Sequence, residues 1–143
     1  MELKKLDKAE SYYLESTKIN STNKKVLAND HNLIGEIKRL QHKAEEAIHH
    51  FNQAIEINRS LGNNEHLVMN YNNLGLAYLS LNSFEKAEEN LITSLGIIDS
   101  LGLKHHKMAI AISCGRLYQA QGKYDSALPY FNKIIQYDLS DHQ

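Results

Sequence analysis

Eight histidines, a single cysteine and many asparagines are the residues of this 143-residue chain whose types could do chemistry. His42, Glu46, His49 and His50 follow one another at helical spacing, so three of them can share a face and offer imidazole and carboxylate ligands to a metal ion. No cysteine pair accompanies them, and the same face is the natural solvated side of an amphipathic helix. A polar surface stripe is therefore the reading adopted, and neither a metal nor another cofactor is expected. His66, His105 and His106 fall where turns are expected and read as surface residues. Cys114 directly precedes Gly115 on a face of packing residues, which predicts a buried, inert thiol. Gly-rich phosphate loops, a nucleophile elbow and paired carboxylates in a water-excluding element are all missing from the sequence, so no catalytic residue is assigned and the chain reads as a non-enzyme.

Charge narrows the partners further. Sixteen Lys and Arg against seventeen Asp and Glu give a net charge of -1, which provides no footprint for nucleic acid or an anionic membrane surface. No apolar run approaches the roughly 20 residues of a membrane span, and the N-terminus has no signal-peptide pattern, so a cytoplasmic chain is expected. A single cysteine leaves no internal disulfide framework.

The elements that must position any site are set by a repeat. Gly35, Gly75 and Gly115 recur at a spacing of forty residues, as do Ala47, Ala87 and Ala127. Residues 27–66 laid over 67–106 give ten identities, among them Asn32/Asn72, Ile57/Ile97 and Leu61/Leu101, where composition alone would give about two or three. Glycine costs a helix about 1 kcal/mol against alanine, so its recurrence at one phase calls for a close neighbour. The alanine twelve residues later is the expected one. Within a repeat Tyr71, Leu74, Ala77, Tyr78 and Leu81 form one helical stripe, and Phe84, Ala87, Leu91, Leu95 and Ile98 the next. Asn82-Ser83 separates them, with Ser83 placed to cap the second helix, and Gly62 and Gly102 are suited to left-handed C-caps. Each unit is thus a helical hairpin.

The spacing predicts seven helices, over 3–20, 24–41, 43–61, 65–81, 83–101, 105–121 and 123–139. Residues 1–22 form a half repeat with a second helix only, followed by repeats over 23–62, 63–102 and 103–143. Pro129 removes one backbone bond in the last helix, and a modest bend is expected there. The first repeat departs most from the pattern, with His31 in the place of Tyr71 and Lys38 in the place of Tyr78, which predicts looser packing.

Tyr71, Leu74-Gly75, Tyr78, Ala87 and Leu91, with Leu117-Tyr118, Gly122, Tyr124, Ala127 and Phe131 in the next unit, resemble the tetratricopeptide repeat (TPR) signature over essentially the whole chain. The period of forty exceeds the usual 34 and is similar to a longer variant found in kinesin light chains, Leu-Gly-Asn-repeat signalling modulators, bacterial Rap-type and PlcR-type peptide sensors and TPR-bearing histidine kinases. The resemblance implies an all-α right-handed solenoid whose first helices line a concave groove, and a noncatalytic protein- or peptide-binding module, part of a bacterial signalling or regulatory protein. The groove candidates it implies are Asn32, Glu36 and Arg39, then Asn72, Asn73, Leu76 and Leu79, then Ile112, Ser113, Arg116 and Gln119. Asn73 leads them, because an asparagine just before Leu-Gly commonly binds a peptide backbone in the longer variant, and an amide offers donor and acceptor together. A ligand-binding groove should leave Asn73 and Arg116 exposed. A chaperone-type carboxylate clamp is not expected, since Glu36 and Ile112 stand where it would want an amide and a cation.

The alternative reading is a self-association domain with no dedicated groove ligand. The last helix carries Phe131, Ile134, Ile135 and Tyr137 with no further helix to cover them, and the first helix lacks its hairpin partner. The expectation is a piece of a longer array, able to form a homodimer through one end.

Overall fold

The computed structural model describes residues 2–140, with the backbone alone at 133–135 and 137–140. Among the described residues it is an all-α right-handed solenoid of seven α-helices without a strand: α1 (Glu2–Ile19), α2 (Lys24–Leu40), α3 (Ala44–Leu61), α4 (Asn64–Ser80), α5 (Phe84–Leu101), α6 (Lys107–Ala120) and α7 (Tyr124–Ser140). Every helix lies within two residues of its predicted limits, the largest difference being a 3-10 turn over Lys104–His106 that replaces the start expected for α6. α2 packs with α3, α4 with α5, and α6 with α7 as hairpins, each stacked on the next, while α1 leans on α2.

The turns inside the hairpins share one device. His42, Asn82 and Gly122, forty residues apart, all take a left-handed backbone with φ of 61°, 56° and 71°. Glycine adopts this conformation freely, and asparagine and histidine pay for it with about 1 kcal/mol. Gly62 and Gly102 close α3 and α5 in the same conformation, as their positions predicted. Ser83 occupies the N-cap of α5, but its side chain makes no capping bond. Its ψ of 70° stops short of the extended backbone that carries a cap oxygen over the first turn.

The recurring glycines do mark close approach, but the nearest neighbour is a large side chain, and the backbone of the alanine stands beside it only at Gly75. A Cβ on Gly75 would stand 2.9 Å from Leu91 Cγ, and the nearest atom of Ala87 is its carbonyl oxygen at 3.3 Å. On Gly35 and Gly115 a Cβ would meet the rings of Phe51 at 2.5 Å and Phe131 at 2.6 Å. The large residue sixteen positions on therefore lies across the glycine, and the fully buried Ala47 and Ala87 let the second helix come near enough for that.

Two apolar clusters form the core. One gathers Phe51, Ile55, Tyr71 and Leu74, the other Leu91, Ile98, Ile110 and Leu117, and Tyr78 and Ile97 pack against both. Cys114 is buried in the second cluster. The expected loosening of the first repeat does not occur at Lys38. Its ammonium reaches Glu10 at 2.6 Å and Glu46 at 2.8 Å, so the position stays 9% exposed with its charge neutralised. Burial alone would lower the Lys38 pKa, but hydrogen bonds to the two carboxylates outweigh it and leave it raised.

Candidate functional site

Asparagine is a mediocre helix former that is kept where its amide finds partners. In α2, α3 and α4 five polar side chains do so across the first inter-repeat junction. Asn58 Nδ2 donates to Asn70 Oδ1 at 2.7 Å, and Asn70 Nδ2 donates to Asn32 Oδ1 at 2.9 Å. Asn73 Nδ2 donates to Asn32 Oδ1 at 3.2 Å and to Glu36 Oε1 at 3.0 Å, and Asn32 Nδ2 donates to the same Glu36 oxygen at 3.0 Å. The ladder tethers α4 to α2 and fixes the amides in one orientation. Beside it lies a pocket of about 160 Å³, walled by Asn29, Asn32, Asn58 and Asn70 with Met69 and, at its mouth, Glu65, His66 and His106. His106 Nε2 and Glu65 Oε1 pair at 3.2 Å across that mouth.

The second junction is built differently. Forty residues on from Asn58 and Asn70 stand Ile98 and Ile110, both buried in the second apolar cluster. Asn73 is matched by Ser113, whose hydroxyl donates to Ala109 O inside its own helix, and Glu36 is matched by Leu76. Asn72, the equivalent of Asn32, is 4% exposed with its Oδ1 sealed from water and unpartnered.

Of the groove candidates, Asn32, Glu36 and Asn73 thus meet in one network, while Asn72, Leu76, Ser113 and Arg116 fall at the second junction by register. Asn73 is only 6% exposed, against the expectation of an exposed side chain, because its amide is drawn into the ladder. Arg116 and Gln119 are exposed, and Leu76, Leu79, Ile112 and Arg39 are half-buried, Arg39 with its Nε sealed from water and unpartnered.

A tetratricopeptide repeat family model matches residues 25–100 and again 66–139. The chain belongs to the TPR family. No curated protein sequence matches it. Among solved structures it is similar to BtubC (BKLC) from P. vanneervenii, with a TM-score of 0.81 and 22% identity over 96% of this chain and 58% of that one. A putative kinesin light chain from Podosopora anserina with nearly identical TPR-like repeats gives 0.73 and 15% identity over 94% and 68%. A MamA structure gives 0.60 and 20% identity over 96% and 91%. This chain therefore spans little more than half the length of the BtubC structure. At these identities the likeness shows the fold. TPR arrays mediate protein–protein interaction and are in general noncatalytic scaffolds.

Within this TPR array, Asn58 and Asn70 escaped the sequence reading. Their signal was available, since both sit at positions that the next repeat fills with isoleucine, and a buried asparagine is kept only where it is bonded. His42, Glu46 and His49 are exposed, as a surface stripe expects, whereas His50 is half-buried and turns toward α2. His31 and His50 stack at 5.4 Å with their Nδ1 atoms 3.1 Å apart, so one ring donates and the other accepts. Burial, then the facing His31 and His49, pushes His50 down to about 4, and burial followed by His49 lowers His31 against the opposing pull of Asp30. His42 serves the left-handed turn, and among the described residues no three ligating side chains converge.

At the array's ends, Phe131 is half-buried over Gly115, and the side chains of Ile134, Ile135 and Tyr137 lie outside the described residues. None of the described helices is long and apolar enough to cross a membrane.

Proposed function

We propose that the chain is a noncatalytic TPR module whose concave first-helix face binds an extended segment of a protein partner, and that it serves in a bacterial signalling or regulatory protein in the cytoplasm. The observation that carries the binding is the amide ladder. The ladder holds the half-buried Asn32 in one orientation beside an open pocket that Asn29 and Met69 also wall, and a pre-ordered wall binds a peptide without the cost of ordering itself. The signalling context rests on the forty-residue period and its resemblance to the longer variant. Selection of a phage-displayed random peptide library against the chain, followed by hydrogen exchange of the complex, tests the reading. Protection on α2, α4 and α6 is the expected result, and a library that yields no binder, or protection confined to α3 and α5, overturns it.

Self-association through an end is the second reading, favoured by the exposure of Tyr12 and Ile19 on α1 and of Leu128 on α7. Sedimentation equilibrium distinguishes it. A strict monomer at high concentration removes it without touching the groove.

A further inference from the structure

The hydrogen bonds of the amide ladder run toward Glu36. An ionised carboxylate accepts but cannot donate, so Asn32 must turn its Nδ2 toward that end. Asn32 Oδ1 is then left to accept from Asn70, and Asn70 Oδ1 to accept from Asn58. The carboxylate thus orients the amides behind it, and the carbonyl oxygen left over at the head of the chain is that of Asn58. This side chain is 2% exposed, yet its Oδ1 accepts no hydrogen bond among the described residues and, unlike that of Asn72, is not sealed from water. The opening beside it is the pocket of about 160 Å³ that Asn58 helps to wall. Hydrogen bonds donated in series polarise one another, which makes the leftover oxygen a stronger acceptor than that of a free amide.

The mouth of the pocket adds further acceptors. His66 Nδ1 stands 2.9 Å from Asn63 Oδ1 and His106 Nε2 3.2 Å from Glu65 Oε1, so in the neutral rings these nitrogens carry the protons and the other nitrogen of each keeps its lone pair. Glu65 contributes a carboxylate that is 58% exposed, and among the described residues no lysine or arginine lines the pocket. Asn29, exposed at the rim, can turn either edge of its amide to a ligand. We infer, on the groove reading proposed above, that this pocket takes one basic side chain of the bound segment, with its methylene stem along Met69 and its N–H groups on Asn58 Oδ1 and the Glu65 carboxylate. The end group of lysine or arginine brings only donors, which is the complement of these unused acceptors, and its charge pairs with Glu65. An acidic side chain in the same place would meet the like charge of Glu65. The size agrees, since a cavity of about 150 Å³ holds a group as large as benzene.

Two arms separate this pocket from the groove. Butylammonium chloride and butylguanidinium chloride, which carry the end groups of lysine and arginine, are titrated while the side-chain NH2 resonances of Asn58 and Asn70 are followed by NMR. Both resonances should shift and saturate with a Kd on the order of millimolar, and sodium butyrate at equal ionic strength should leave them unmoved. Glu65→Gln should weaken butylammonium by about threefold and Glu65→Lys should abolish its binding, with the helical circular dichroism unchanged because the residue is exposed. In the second arm, a random phage-displayed peptide library selected on wild type should enrich lysine or arginine at one position, and the same selection on Glu65→Lys should lose that preference. Resonances that respond equally to butyrate or not at all, Glu65 variants with wild-type affinity, or peptide binders without a basic position overturn the pocket and leave the groove standing. A library without binders beside a saturable butylammonium shift sinks the groove reading while the cation site stands.

Discussion

The first junction of the array is closed by asparagines and the second by isoleucines, at equivalent positions and on the same backbone plan. Asn58 and Asn70 share a hydrogen bond of 2.7 Å where Ile98 and Ile110 share an apolar cluster. The contrast shows that a stacked repeat requires complementarity at its seam and not a particular chemistry. A bonded amide pair gains about 1 kcal/mol net, and burying two isoleucines gains more. The polar seam gives up stability and in return fixes the amides in one orientation.

The contrast can be broken most violently from the apolar side. Ile98→Asn places a lone carboxamide among aliphatic side chains, and a cost of about 4 kcal/mol is expected, from lost burial and from an unpaired amide together. Equilibrium urea unfolding would measure it, and a loss under about 1 kcal/mol would show that the second seam tolerates polarity. From the polar side, Asn70→Ile alone should cost about 2 kcal/mol, because it orphans Asn58 Nδ2 and takes one of the two donors from Asn32 Oδ1. Adding Asn58→Ile should restore most of that loss, since both partners are then apolar. A double variant no more stable than the single one would mean that the two seams are not interchangeable.

Gly75 packs inside the hairpin of α4 and α5. Gly75→Val should destabilise by about 1 to 3 kcal/mol through collision with Leu91, and Leu91→Ala should relieve part of that collision in a double-mutant cycle. A cycle with no coupling would refute the contact.

A smaller effect separates the repeats by pH. The His31 and His50 positions of the first hairpin are Tyr71 and Asn90 in the second. With His50 held at about 4 in the fold and near 6.5 when unfolded, the unfolded chain binds the extra proton between those values, so stability falls as pH drops from about 6.5 toward 4. The loss at pH 5 should be about 1 to 2 kcal/mol. His50→Asn should flatten this slope. A slope unchanged in that variant would remove the assignment.

The helices were legible because their signal is local. Apolar spacing fixes a helix face, and Gly62 and Gly102 announce the stops. The glycine phase was legible as a close contact, but its partner was not, because which side chain lies over Gly75 depends on how far α5 slides along α4. The Lys38 position failed for a related reason. A lysine in a tyrosine's place looks like a packing defect until the carboxylates of α1 and α3 are known to converge on it. Asn32, Glu36 and Asn73 were identified by type as groove residues, yet the ladder that buries Asn73 is drawn from three helices and has no sequence signature of its own.

Tyr78 and Ile97 pack against both apolar clusters, whereas α1 holds no buried residue at all. Under native-state hydrogen exchange the amides of α1 should therefore open first and alone, as a frayed end, while α3 through α6 exchange only together, because neither cluster can be dismantled without withdrawing side chains from the other.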